Sequence, residues 1–246
     1  ALAIKYDFFI IEDASHAIGG EYKGSKVGSC EYSDISVFSF HPVKIITTGE
    51  GGMITTNDKR VDALLKNLRS HGIERSKDKF IKKPFSPWQY QQHNLGFNYR
   101  MNDIEAALGR SQLKRIANFV SERNKIYKIY MDVLNDLPVS LNPIPKDVYS
   151  SLHLAILYIK NNCDKNQYKI LFEAMRNQNI GVQLHYYPVH LHPYYQNLGF
   201  RDIKFENAEI YSHRNISIPI YPGLSFDQIK RVSLALRNSL NSAGLL

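Results

Sequence analysis

Val37-Phe38-Ser39-Phe40-His41-Pro42-Val43-Lys44, followed by Thr47-Thr48-Gly49-Glu50-Gly51-Gly52, is the stretch on which the reading of this chain turns. An apolar, β-rich run ends in a Ser-Phe-His-Pro turn, a lysine sits just past it, and a glycine-rich segment leads into the next strand. Proline fixes the backbone before the lysine, and glycines let a chain pass close to a bulky ligand. Upstream, another apolar run, Phe8-Phe9-Ile10-Ile11, closes in Glu12-Asp13-Ala14-Ser15-His16. An acid thus falls at the end of one expected strand and a lysine just beyond the end of another.

Working outward, short apolar runs alternate with helical patterns in the first half of the chain, which argues for a parallel α/β sheet. Residues 8–12 and 35–40 read as buried strands and 52–56 as a third. Val61, Leu64, Leu65 and Leu68 share one helical face, and Gly72 is placed to end that helix. Residues 73–98 read as a long polar, aromatic loop, of a length that is uncommon without a function. Asn102 with Glu105 predicts a capped helix start. The apolar stripe of Ile104, Ala107 and Leu108 continues to Ile116 and Val120, and a second pattern runs from Ile126 to about Asp136. Beyond the prolines near 138–145 a smaller α+β unit is expected. It has strands at 152–159, 181–186 and 216–220, a helix at 165–178, and a last helix opening at Ser225 with Gln228 three residues on.

The 246 residues are 43% hydrophobic and 22% charged, with only Cys30 and Cys163. That composition describes an ordinary globular chain with ample core. No apolar stretch approaches the ~18–20 residues of a membrane span, no signal-peptide layout opens the chain, and two cysteines without a CxxC suit a reducing cytoplasm. The net charge of +8 is dispersed except at Lys77–Lys83, so it speaks for a diphosphate-bearing metabolite more than for nucleic acid.

One cofactor suits the pair of Asp13 and Lys44. Pyridoxal phosphate (PLP) needs a lysine for its Schiff base and a carboxylate for its pyridinium nitrogen, and ligands of open α/β sheets sit at the carboxyl ends of strands. Asp13 could instead cap a helix beginning at Ala14, Ser39 could be a small polar residue at a strand end, and Asn98 and Arg100 could be loop scaffolding. His185, Tyr186, His190 and His192 match none of the common zinc spacings, and prolines interrupt them, so no metal is expected. Gly19–Lys26 only approximates a phosphate-binding loop, since no Gly-Lys-Ser/Thr results. Ser39 and His41 lack a Gly-x-Ser-x-Gly elbow and, two apart on a strand, are no hydrolase pair.

The motifs EDASHA (12–17), FSFHPVK (38–44), TTGEGG (47–52), GFNYRMNDIEAALG (96–109) and VQLHYYPVH (182–190) resemble, in order and spacing, the DegT/DnrJ/EryC1/StrS sugar aminotransferases. The resemblance implies fold type I of the PLP-dependent transferases, the aspartate aminotransferase-like α/β fold. Residues 1–120 would be the C-terminal part of the PLP-binding large domain, with a mostly parallel sheet, and 121–246 a small C-terminal α+β domain. It implies Lys44 as Schiff-base lysine and proton carrier, and Asp13 as a buried partner of the pyridinium nitrogen. His16 would sit near the ring's 3-hydroxyl, and Ser39 on the phosphate. Asn98 would reach the phosphate of a neighbouring subunit in a homodimer with shared active sites, and His185 and Tyr186 would line the sugar pocket. The implied reaction moves an amino group, with L-glutamate as the donor, to C4 of a UDP-linked 4-keto-6-deoxy-N-acetylhexosamine, for pseudaminic acid or a related surface glycan. Lys44 speaks against the family's dehydratases, which carry histidine there. Family members extend further at the N-terminus, so an inactive remnant, or half of a split enzyme acting only in folding or dimerisation, is the alternative expectation.

Overall fold

A computed structural model describes all residues, Ala1–Leu246. In chain order the elements are α1 (Leu2–Tyr6), β1 (Ile11–Asp13), β2 (Glu21–Tyr22), β3 (Ser25–Lys26), β4 (Ile35–Ser39), β5 (Gly52–Thr55), α2 (Lys59–Arg69), β6 (Ile73–Glu74), β7 (Gln91–Gln92) and α3 (Asp103–Leu113). There follow α4 (Ile116–Val133), β8 (Val139–Leu141), β9 (Val148–Tyr149), β10 (Ala155–Ile159), α5 (Lys165–Asn177), α6 (Pro193–Tyr195), α7 (Glu206–Ser212), β11 (Asn215–Ile218) and α8 (Phe226–Ser242). The chain divides into two compact units, Ala1–Ala117 with Asp147–Tyr149, and Asn118–Lys146 with Ser150–Leu246. The short excursion at 147–149 belongs to the first unit because β9 pairs with β2 there. No helix is long and apolar enough to cross a membrane.

In the first unit β1 and β4 are parallel, with Asp13 level with Val37, and β5 runs antiparallel to β4. The third strand therefore departs from the parallel arrangement expected. Parallel strands need a crossover of a dozen or more residues, usually a helix, and the link from β4 to β5 is a closed loop instead. β4 buries Ser36 and Phe38, and Phe40 follows them inward. The run 8–12 is not a buried strand: β1 begins only at Ile11, and Phe9 and Ile11 are 81% and 65% exposed. β1 lies at the edge of its sheet, paired only with β4, so no strand continues the sheet on its other flank.

α2 starts where Asp58 Oδ1 accepts hydrogen bonds from the Arg60 and Val61 amides, 2.7 and 3.4 Å away, satisfying donors a helix start leaves open. It ends at Arg69, and the chain then reverses through Gly72 at φ 68°. A Cβ on Gly72 would lie 1.9 Å from the Asn94 carbonyl oxygen, so only glycine fits. The expected loop 73–98 contains a small hairpin, β6 with β7. The stripe expected to run from 104 to 120 breaks at Lys114–Arg115, where α3 gives way to α4.

The second unit holds the core. Its sheet has the order β11-β10-β8, antiparallel throughout. Ala155, Leu157 and Ile159 alternate inward from β10, and all four residues of β11 are buried. Tyr130 from α4, Leu171 and Met175 from α5, and Ile229, Leu236 and Leu240 from α8 complete the same cluster. Each such fully buried apolar side chain stabilises by roughly 1.5–3 kcal/mol. Two expected strands are shorter than read. Leu152 adopts φ 49°, outside extended backbone, so β10 starts at Ala155. Pro219 has no N–H to continue β11. The run 181–186 is no strand at all: only Gln183 bridges, exchanging backbone bonds with Ser217. The capping boxes of α3, α5 and α8, at Asn102, Asp164 and Ser225, are all formed.

Candidate active site

The link between β4 and β5 is a tied loop. The Phe40 amide donates to Gly51 O at 2.9 Å, and Phe40 O accepts from the Thr48 amide at 3.0 Å and the Thr47 hydroxyl at 2.8 Å. One residue thus closes the loop at both of its polar groups. Gln112 of α3 adds an acceptor for the Thr47 amide at 3.1 Å. Inside the loop the Lys44 amide donates to His41 O at 2.9 Å. Ile45 and Ile46 are buried, and Lys44 itself is half-buried. Gly51 sits at φ 144°, where a Cβ would come within 2.6 Å of the Thr48 hydroxyl. The position of Lys44 is therefore set by buried neighbours and backbone bonds on both sides.

Asp13 ends β1. Its Oδ1 accepts from the Ser15 amide at 3.1 Å and the Ser15 hydroxyl at 2.5 Å. This is a turn stabilised by an aspartate side chain, and no helix follows it. Those two bonds hold the Asp13 carboxyl below the usual carboxylate range, and the positive charges of His16 and Lys44 act in the same direction. Asp13 is exposed rather than buried as the resemblance implied. It stands at the end of an edge strand that is paired on one flank only. Glu12, one residue earlier, faces the other side of the strand, where its Oε2 accepts from Ser36 Oγ at 2.6 Å. The two adjacent acids thus have separate tasks.

Asp13, His16, Ser39 and Lys44 all belong to one unit and one sheet edge. β1 and β4 end on the same side because they are parallel, and Ser39 closes β4 two residues past the partner of Asp13. Ser39 Oγ accepts from the His41 amide at 3.4 Å. A carboxylate, a lysine and a strand-end hydroxyl are a donor set that fits a phosphorylated pyridine aldehyde. Asn98 is exposed in a separate segment tied to the end of α2, where the Phe97 amide donates to Leu68 O at 2.7 Å. No hydrogen bond joins it to the Asp13–Lys44 group. His185 and Tyr186 lie in the other unit. The half-buried His185 ring packs edge-on to Tyr186, with centroids 4.6 Å apart, and its Nδ1 is 2.6 Å from Ser217 Oγ. Sequence reading missed Ser15, Thr47 and Ser217. Only Ser15 carried a local signal, the Asp-x-Ser spacing of such turns.

The motifs of these segments occur in a recognised order, and residues 1–237 match the DegT/DnrJ/EryC1/StrS aminotransferase family. The chain belongs to that family. Among its relatives, an uncharacterised protein of Methanocaldococcus jannaschii is 40% identical over 238 residues, 96% of this chain and 61% of that one. The UDP-4-amino-4,6-dideoxy-N-acetyl-beta-L-altrosamine transaminase of Campylobacter jejuni is 38% identical over 234 residues, 94% of this chain and 58% of that protein. Among solved structures, Helicobacter pylori PseC, an aminotransferase involved in the biosynthesis of pseudoaminic acid, superposes with a TM-score of 0.85 at 32% identity. That superposition covers 98% of this chain and 62% of PseC. The family member described here thus spans about three fifths of the length of these relatives. Its fold is that of the PLP-dependent aminotransferases of this type.

Proposed function

We propose that this chain serves PLP-dependent transfer of an amino group, with L-glutamate as donor, to C4 of a UDP-linked 4-keto-6-deoxy-N-acetylhexosamine, for pseudaminic acid or a related surface glycan. The observation that carries this reading is that Asp13 and Ser39 end two parallel strands on the same side of the sheet, with Lys44 in the tied loop that follows Ser39. The relatives' names support the sugar class.

In this reading residues 1–120 contribute the C-terminal part of a PLP-binding domain and 121–246 a small domain. Bound PLP would supply an electron sink for the substrate's reacting carbon. Asp13, kept ionised by Ser15, would hold the protonated ring nitrogen. Lys44 Nζ would be the covalent anchor and, when released, the base that takes a proton from the substrate carbon. His16 would lie beside the ring, and Ser39 would donate its hydroxyl to the phosphate. Asn98 would serve the phosphate in a second copy of the chain, which makes the working enzyme a homodimer. His185 and Tyr186 would face the sugar. The exposure of Asp13, Phe9 and Ile11 favours a second reading, a chain that acts only in folding or assembly.

Incubation with PLP, borohydride reduction and peptide mapping separates the two. A pyridoxyl adduct on the peptide containing Lys44, lost in Lys44→Ala, is expected. Adducts spread over other lysines, or none, would overturn the assignment and favour the second reading.

A further inference from the structure

His185 is held from two directions. The Ser217 amide donates to Gln183 O at 2.9 Å and the Gln183 amide to Ser217 O at 3.3 Å, which fixes the backbone two residues before the histidine. The Ser217 hydroxyl then lies 2.6 Å from His185 Nδ1. Ser217 is on β11 and 6% exposed, and this is the only hydrogen bond of its side chain.

A serine hydroxyl has one proton to place, and a buried donor without an acceptor is costly. If His185 donated from Nδ1, the Ser217 proton would be stranded inside the unit. With Ser217 donating, Nδ1 is the acceptor, and in a neutral imidazole the proton must then reside on Nε2. A carboxylate at position 217 would impose the opposite tautomer, with Nδ1 as donor. We infer that Ser217 is a positioning residue that holds His185 as its Nε2–H tautomer, so that the ring offers an N–H donor to an oxygen-rich ligand. The ligand class rests on the proposed reading of His185 as a sugar-pocket residue. A neutral donor suits the hydroxyls and diphosphate oxygens of a nucleotide sugar.

Two measurements test the two layers separately. In the 246-residue chain labelled with ¹⁵N-histidine at pH 8, long-range ¹H–¹⁵N spectra report which ring nitrogen carries the proton, and His185→Gln assigns the signal. The expected result is a protonated Nε2 for His185, a mixed population in Ser217→Ala, and retention of the tautomer in Ser217→Thr. A protonated Nδ1 in the wild-type chain, or a population unaltered by Ser217→Ala, overturns the inference. The wild-type spectrum decides this even if neither variant folds. Titration with UDP-N-acetylglucosamine is expected to show about five- to tenfold weaker binding in Ser217→Ala, the size of one lost hydrogen bond. A changed tautomer with unchanged affinity leaves the role of Ser217 standing and overturns the placement of His185 in the sugar pocket.

Discussion

The two units of this chain divide chemistry and stability unequally. The second, built from 118–146 and 150–246, contains the whole hydrophobic cluster that runs from Ile126 to Leu245. The first carries Asp13, His16, Ser39 and Lys44, yet neither α2 nor α3 has a single buried residue and β1 is open on one flank. Apolar patterning in a sequence marks the faces that favour burial; the first unit buries Phe38, Phe40, Ile45 and Ile46 around the loop, and the extended core is in the second. The contrast teaches that the loop carrying Lys44 can be fixed locally, through Phe40, Thr47 and Gly51, within a unit whose β1, α2 and α3 leave apolar side chains exposed.

The largest expected effect separates chemistry from stability outright. Lys44→Ala should lower turnover by roughly a thousandfold or more, the scale of losing both anchor and base. The thermal midpoint should stay within a degree or two, since the side chain makes no hydrogen bond or ion pair. A large fall in the midpoint would mean that Lys44 serves packing, and the contrast between the units would fail at its centre.

Asp13→Asn should follow, at roughly a hundredfold in turnover, because the amide cannot balance a protonated ring nitrogen. The pH dependence has a definite sign. The Asp13 carboxyl lies below its ordinary range because of Ser15, His16 and Lys44. Its favourable contribution is therefore fully present above the ordinary carboxylate pKa and disappears as pH falls through the lowered value. PLP affinity of the wild-type chain, followed by absorbance, should decline only at that acidic end. Ser15→Ala should move the decline to higher pH. A decline unmoved by Ser15→Ala would show that the turn does not tune the acid.

A paired truncation reads stability in the same way. Leu157→Ala empties a position with no exposure in the second unit and should cost about 2–5 kcal/mol in denaturant unfolding. Ile11→Ala, at 65% exposure in the first, should stay within about 0.5 kcal/mol. Equal costs would mean that β1 is covered in solution, by self-association for example, which sedimentation would reveal.

Much of this was legible in the sequence, and the misses share a cause. The family, the placement of Asp13 at one strand end and Lys44 beyond another, and the capping boxes at Asn102 and Ser225 are local patterns, and local patterns survive being read in one dimension; the third box, at Asp164, went unread. The buried state expected for Phe8–Ile11 was wrong because four apolar residues in a row do not say whether anything packs on them. The direction of β5 was readable in principle, since residues 40–51 hold no helical period and so no parallel crossover. Ser217 was not readable. It lies 32 residues from His185, and only the bridge with Gln183 brings them together.

The smallest effect sharpens the comparison best, because the same device occurs in both units. Asn102 caps α3 and Ser225 caps α8, each with a reciprocal bond from the residue three positions on. Removing either side chain should cost its own helix about 1 kcal/mol. α8 buries Ile229, Val232, Leu236 and Leu240 in the core, so Ser225→Ala should lower global stability by nearly that amount. α3 buries nothing, so Asn102→Ala should speed hydrogen exchange in its first turn while the global midpoint stays put. If Asn102→Ala instead shifted global unfolding as far as Ser225→Ala, α3 would be cooperative with a core, and the first unit would be better consolidated in solution than its exposed faces imply.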